Sequence, residues 1–191
     1  PKTVLLADQS QTELDACAAT LGFPLVLKIP DGSFSRGVVK VSDAETLKTE
    51  VKNLMGKSAL LIAQEFMYTD YDWRIGVLNN TPLYACRYYM VRNHWQIYQH
   101  GNKHTSSGGF DTLPIDQVPP RVLRAATQAS KLIGNGLYGV DLKQQGERAV
   151  VIEVNDNPSI DAGVEDKVVG QALYDSLMAE FIRRIENGSS R

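Results

Sequence analysis

GVDLKQQGERAVVIEVNDNP, residues 139–158, is the stretch on which the reading of this chain turns. Two apolar runs, GVDLK (139–143) and VVIEVN (150–155), flank the polar Gln144-Gln145-Gly146-Glu147, a pattern that predicts a β-hairpin. Side chains alternate between the two faces of a strand. Glu153 and Asn155 are therefore expected on one face, with Ile152 and Val154 turned to the core. With the loop centred on Glu147, Asp141 stands opposite Glu153, and opposed residues share a face. Asp141, Glu153 and Asn155 then converge. Two carboxylates and an amide oxygen are the hard donors that Mg²⁺ takes, with positions left for water and phosphate oxygens. The alternative is an exposed polar face on an edge hairpin. It explains poorly why Asp141 and Glu153 interrupt runs as apolar as GVDL and VVIEV.

Outward from this hairpin, helices mix with further strands. Leu14, Cys17, Ala18 and Leu21 have helical spacing, and Gly22 can stop that helix. PLVLKI (24–29) and VVKV (38–41) read as strands on either side of the loop DGSFSRG (31–37). Ser42-Asp43-Ala44-Glu45 reads as a capping box opening a helix to about Leu54. ALLIAQEF (59–66) is a third strand, and WRIGVL and LYACRYY around Asn79-Asn80-Thr81-Pro82 suggest a second hairpin. The polar, glycine-rich residues 99–111 are expected to form a mobile loop. Pro119 and Pro120 open a helix that ends at Gly134, and LYDSLMAEFIRRIE (173–186) is an amphipathic helix. The regular strand–helix alternation of a doubly wound sheet is absent. The fold class is α+β, with antiparallel sheets and helices on their outer faces.

A length of 191 residues, 43% apolar and 22% charged, suits one large domain or two small lobes sharing a cleft. A net charge of -2 supplies no bulk field to recruit nucleic acid or an anionic membrane, so any phosphate binding must be local. Cys17 and Cys86 match no metal spacing, and a reduced, cytoplasmic setting is the simplest expectation. No apolar run approaches the roughly 20 residues of a membrane helix. The chain opens on Pro1 rather than Met, and is expected to be a fragment or a processed chain.

Two further stretches carry chemistry. In LVLKIPDGSFSRGV (25–38), Lys28 sits inside an apolar strand, where a buried ammonium needs an anion. Gly32 and Gly37, with Ser33 and Ser35, let backbone N–H groups approach phosphate oxygens. The loop is not a Walker A loop, because no Gly-Lys-Ser/Thr follows. A surface turn with a snorkelling lysine explains the same residues equally well. In AQEFMYTDYDWR (63–74), Phe66 and Met67 offer a flat apolar slot for an adenine, and Asp72 a carboxylate for ribose hydroxyls. A plain strand end is the blander reading.

Taken in order, the Lys and Gly loop, the Gln-Glu-Phe strand end and the paired carboxylate strands resemble an ATP-grasp enzyme, of the branch with glutathione synthase and the RimK-type ligases. The resemblance runs from about Gly22 to Asp161 and is most specific in VIEVNDNPS, GVDLK and LVLK. It implies two α+β lobes with antiparallel sheets clasping ATP. Residues 1–22 would lead in from a missing N-terminal domain, residues 23–68 would form the small lobe and residues 69–191 the large one. Lys28 would contact ATP phosphate, and Gly32, Ser33 and Gly37 would lie in a lid over the phosphates. Glu65 and Phe66 would bind adenine, and Asp72 would sit near the ribose. Arg74 and Arg87 would bind phosphate or an acyl-phosphate, and Gln96 and Tyr98 would line the cleft. Asp141, Glu153 and Asn155 would hold Mg²⁺, with Mn²⁺ as the alternative ion. Two departures stand out. The family's earlier nucleotide-contacting lysine would lie before Pro1. The segment NDNPSIDAGVED (155–166) replaces a shorter NASPG-like stretch, so that Asp161, Glu165 and Asp166 either orient an amine or cap the next helix.

The implied activity is an ATP-dependent joining of a carboxylate to an amine through an acyl-phosphate, with small-molecule or peptide substrates. The rival expectations are an ATP-binding module without ligase activity and a kinase that stops at phosphoryl transfer.

Overall fold

Apolar side chains collect into three cores among the described residues, one within residues 1–68 and two within residues 69–191, and the chain divides into two units at that boundary. The computed structural model describes residues 1–30, 37–100 and 105–188.

Unit 1 contains β1 (Thr3–Leu6), α1 (Gln11–Leu21), β2 (Leu25–Lys28), β3 (Val38–Val41), α2 (Ala44–Met55) and β4 (Leu61–Glu65). The strands form an antiparallel sheet in the order β1-β4-β2-β3. Leu25, Leu27, Val41, Leu61 and Ala63 close a core with Leu14 and Cys17 of α1 and Leu47, Val51 and Leu54 of α2. Residues 1–22, set apart above as a lead-in, belong to this unit, since β1 pairs along β4 from Thr3↔Gln64 to Leu6↔Leu61. The expected capping box is displaced by one residue. Asp43, not Ser42, is the N-cap of α2, and its Oδ1 accepts from the Thr46 N–H at 2.8 Å.

Unit 2 contains β5 (Tyr71–Leu78), β6 (Thr81–Tyr89), β7 (Tyr98–His100), β8 (Thr105–Ser107), β9 (Phe110–Leu113), α3 (Pro120–Ile133), β10 (Leu137–Gln145), β11 (Arg148–Asn155) and α4 (Gln171–Gly188). A five-stranded antiparallel sheet runs β11-β10-β5-β6-β9, and β7 and β8 form a separate ribbon. Residues 99–111 therefore contribute strand pairings on both sides of the undescribed residues 101–104, where a loop was expected. Gly108 marks a close backbone approach: a Cβ there would lie 1.8 Å from the Tyr89 carbonyl oxygen.

The two faces of this sheet bury different cores. Trp73, Ile75, Val77, Ala85, Val140 and Leu142 pack with Val122 and Ala126 of α3. On the other face Tyr84 and Cys86 pack with Leu173 and Leu177 of α4.

A β-bulge shapes the decisive hairpin. Its turn is Gly146-Glu147, because Gln144 and Gln145 continue β10 and Gln145 pairs with Arg148. Leu142 pairs with Val151, but Asp141 pairs with Glu153, so Ile152 is the extra residue. The expectation that Ile152 faces the core is corrected: Ala149, Val151 and Val154 pack there, because the bulge shifts the alternation by one. No described helix is long and apolar enough to cross a membrane.

Candidate functional site

Three strands of unit 2 set Arg74, Asp141 and Glu153 in one row. Asp141 is opposite Arg74 of β5 on one side and Glu153 of β11 on the other, so the three share a face. The Asp141 carboxylate is bidentate with Arg74: Nε donates to Oδ1, and Nη2 to Oδ2 at 2.8 Å. Asn155 stands opposite Gly139, and its Nδ2 donates to the Gly139 carbonyl at 3.1 Å and to Asp141 Oδ2 at 3.3 Å. Glu153 is exposed. Asp141, Glu153 and Asn155 are thus brought together, and with Arg74 already on Asp141.

A second charged pair lies one step along the same face with its polarity reversed. Lys143 Nζ donates to Asp72 Oδ1 at 2.6 Å and to Thr69 Oγ1 at 2.9 Å. Thr69 in turn donates to Asp72 Oδ1 at 3.0 Å. Asp72, expected beside a ribose, has its carboxylate on Lys143 and Thr69. Both pairs are largely sheltered, with side chains 22% and 22% exposed for Arg74–Asp141 and 14% and 16% for Lys143–Asp72. Burial alone would draw the Arg74 guanidinium down, but the charge and hydrogen bonds of Asp141 hold it above its ordinary range. Burial raises the Asp72 carboxyl, with Lys143 pulling the other way.

The floor beside this row is made of two facing glycines, Gly76 and Gly139. A Cβ on Gly76 would lie 2.1 Å from the Tyr84 ring. A Cβ on Gly139 would lie 2.7 Å from Pro158 Cβ and 3.2 Å from Arg74 Cδ. The stem of Arg74 and the ring of Tyr84 therefore lie side by side over bare backbone. Tyr84 is fully buried, and its Oη has no hydrogen-bond partner among the described residues. Burial raises its phenol well above the ordinary value.

Beyond Tyr84, the Tyr88 ring centre lies 5.8 Å from Arg74 Cζ, and its hydroxyl donates to Glu165 Oε1. Glu165 is 1% exposed, and its Oε2 accepts from the Asp161 N–H at 2.9 Å. Thr112 Oγ1 donates to the Val164 carbonyl at 2.7 Å. Asp166 accepts from the Gly163 N–H at 2.6 Å and from the Tyr174 hydroxyl at 2.8 Å. These contacts correct the expectation that Glu165 and Asp166 cap the next helix. Glu165 and Asp166 fasten residues 161–166 to the sheet and to α4, and neither carboxylate caps that helix, which begins at Gln171.

Other expected residues are not brought to this row. Arg87 pairs with Trp73, so it projects from the opposite face to Arg74. It binds Asp111, with Cζ 5.2 Å from the Tyr71 ring centre and 5.9 Å from that of Trp73. The period of two explains the split: Arg74 is opposite Cys86, and the next residue points away. Tyr98 opens the β7–β8 ribbon, outside the five-stranded sheet. Gln96 precedes it, with Oε1 3.2 Å from His94 Nε2 and its carbonyl accepting from Val91.

In unit 1, Lys28 ends β2 opposite Ile62 and Val38. By alternation it shares the face away from the core with Val26, Lys40, Ile62 and Gln64. Lys40 Nζ sits 3.9 Å from the centre of the Phe66 ring, a cation–π contact. Glu65, expected with Phe66 at an adenine, ties β4 to the start of the chain: its carboxylate accepts from the Lys2 N–H at 2.7 Å, and its own N–H donates to the Lys2 carbonyl. Gly37 has a positive φ of 71°, and its carbonyl accepts from Ile29. Gly32 and Ser33 lie outside the described residues.

Sequence reasoning missed Lys40, Lys143, Tyr84 and Tyr88. The first two were open to it, since period-two alternation sets Lys40 two places from Val38 and Lys143 two places from Asp141. The tyrosines carry no local signal.

Comparison with known proteins adds three findings. The family model described as D-ala D-ala ligase C-terminus matches residues 2–162. A probable alpha-L-glutamate ligase of Vibrio atlanticus is 30% identical over 165 residues, 85% of this chain and 51% of its own length. The chain thus spans about half the length of the curated relatives it matches. In structure, the D-alanine–D-alanine ligase of Bacillus anthracis matches at a TM-score of 0.72 and 16% identity, over 98% of this chain and 63% of that one. The same enzyme complexed with ATP matches at 0.70 and 18%, over 98% and 62%. The ATP-grasp ligase PsnB, complexed with a precursor variant, Mg and ADP, matches at 0.64 and 18%, over 94% and 52%. The fold is that of the ATP-grasp structures.

Proposed function

Because the chain belongs to the D-ala D-ala ligase C-terminus family, an ATP-grasp family, we propose that it is the nucleotide-binding and phosphate-activating part of a carboxylate–amine ligase. The observation that carries this reading is the row Arg74–Asp141–Glu153 with Asn155 beside it, on one sheet face. Asp141, Glu153 and Asn155 offer hard oxygens, the donor set of a Mg²⁺ or Mn²⁺ site. A divalent ion there screens the charge on phosphate oxygens. The complexes of related folds with ATP and with Mg and ADP support the same two ligands for this chain.

In this reading Lys28 contacts phosphate, and Phe66, backed by Lys40, faces the base. Arg74 neutralises charge on the reacting phosphate or acyl-phosphate. A substrate carboxylate takes the γ-phosphoryl group, releasing ADP. An amine then attacks the acyl carbon, and inorganic phosphate leaves. The names of the relatives point to amino-acid or peptide substrates.

The test is ADP release by the intact protein with ATP, Mg²⁺ and pooled amino acids. Release that needs both an acid and an amine supports the ligase. Release with one acceptor and a stable phosphorylated product marks a kinase, and binding without turnover a module. Glu153→Gln should abolish turnover and keep the melting temperature, because Glu153 is exposed. Asp141→Asn should abolish it too, but with some loss of stability, because it strips Arg74 of its carboxylate. Full turnover in both variants would sink the assignment.

A further inference from the structure

The carboxylate that best fits a metal is already occupied by a cation of the chain itself. Arg74 grips both oxygens of Asp141, and Asn155 adds a third donor to Oδ2. The carboxylate offers about four lone-pair sites, and Arg74 and Asn155 take three of them, so a divalent ion competes with the guanidinium for the oxygens and repels it as a like charge. Ligation of an ion by Asp141 therefore works against the grip of Arg74. The neighbouring pair has no such conflict, since Lys143 holds Asp72 and Thr69, neither of which is in the metal set.

Three features give Arg74 somewhere to go. Its stem lies over Gly139, whose lack of a Cβ leaves that space to the stem and to Pro158. The adjacent Tyr84 ring lies over Gly76, and its buried Oη has no partner among the described residues. The Tyr88 ring is within 5.8 Å of the guanidinium, and Glu165 fixes that ring by its hydroxyl. An aromatic face and an acceptor with no partner among the described residues therefore stand on β6, across β5 from the strand of Asp141.

We propose that Arg74 is the resident counter-cation of Asp141, exchanged for the divalent ion, so that ligation of the ion and release of the guanidinium toward substrate anions are one event. This rests on the metal reading above and adds to it a coupling. An arginine held only as scaffold would stay on Asp141 throughout.

The test follows the side-chain Nε–H of Arg74 by ¹⁵N–¹H spectroscopy of the full chain, assigned with Arg74→Lys, while Mg²⁺ is added with ADP. Binding of the ion is monitored separately by Mn²⁺ titration. In the metal-free chain the Nε–H should be protected from solvent exchange by Asp141. With Mg²⁺ and ADP it should shift and exchange at least about tenfold faster, the factor that a loss of about 1.4 kcal/mol produces. Asp141→Asn should show the released signal without any ion. Arg74→Gln, which removes the competitor, should bind Mn²⁺ about tenfold more tightly or better. If the ion binds while the Arg74 signal stays unmoved and protected, the exchange is wrong and the metal site stands. If no ion binds to the wild type even with ADP, the metal reading itself fails and the exchange with it.

Discussion

Glu165 offers the sharpest test of how this fold is held, because it is an anion sealed in the core of unit 2. Its two oxygens serve two donors, the Tyr88 hydroxyl and the Asp161 N–H. A hydrogen bond to a charged group contributes about 1.5–3 kcal/mol, and a buried donor left without a partner costs about 1–3 kcal/mol. Glu165→Ala strands both donors but also relieves the burial of a charge, which offsets part of the loss. We expect a net destabilisation of about 3 kcal/mol. Glu165→Gln keeps one oxygen for Asp161 and turns an NH₂ toward the Tyr88 oxygen, so it should cost only about 1 kcal/mol. Tyr88→Phe should cost about 2 kcal/mol, and the double variant Glu165→Ala/Tyr88→Phe should fall short of the sum by about 1–2 kcal/mol, since the partners are in contact. Urea unfolding followed by tryptophan fluorescence reads this directly, because both tryptophans, Trp73 and Trp95, lie in residues 69–191. A loss below about 1 kcal/mol for Glu165→Ala, or equal losses for the Ala and Gln variants, would refute the buried tie.

Two further outcomes concern Gly76, in the floor beside the charged row, and Glu180, on α4. Gly76→Ala drives a Cβ to 2.1 Å from the fully buried Tyr84 ring. Overpacking of that kind costs about 1–3 kcal/mol, only partly offset by the better strand propensity of Ala, so the urea midpoint should fall, and an unchanged midpoint would mean Tyr84 is free to move. Glu180 is held down to about pKa 2, from 4.5, by hydrogen bonds from Arg183 and then Arg184. A depressed folded pKa gives stability that is present above 4.5 and is lost as pH falls toward about 2. Glu180→Gln should flatten the melting temperature across that window, and a slope equal to that of the wild type would discount the pair.

Much of the architecture was legible because it rests on short-range rules. Alternation in GVDLK and VVIEVN implied a hairpin, and proline and glycine at the ends of residues 119–134 bounded α3. Within residues 99–111, Gly108 lies against the Tyr89 carbonyl, a close approach that needed the fold to be seen. Alternation also separates Arg74 from Arg87, once β5 and β6 are known to pair in register.

The chain order of residues was enough to pair strands, choose helices and bring Asp141 near Glu153, because each of those needs only the pattern of a few neighbours. It could not locate the bulge at Ile152. Without it, the register that starts at Gln145↔Arg148 would have set Ile152 opposite Asp141. Nor could it foresee that Arg74 would grip Asp141, 67 residues away, or that Tyr88 would bury Glu165, 77 residues away. Those contacts form only when distant strands and the segment before α4 meet on one sheet face. Burial then decides which charges must find each other, since an ion withdrawn from water needs its partner close at hand.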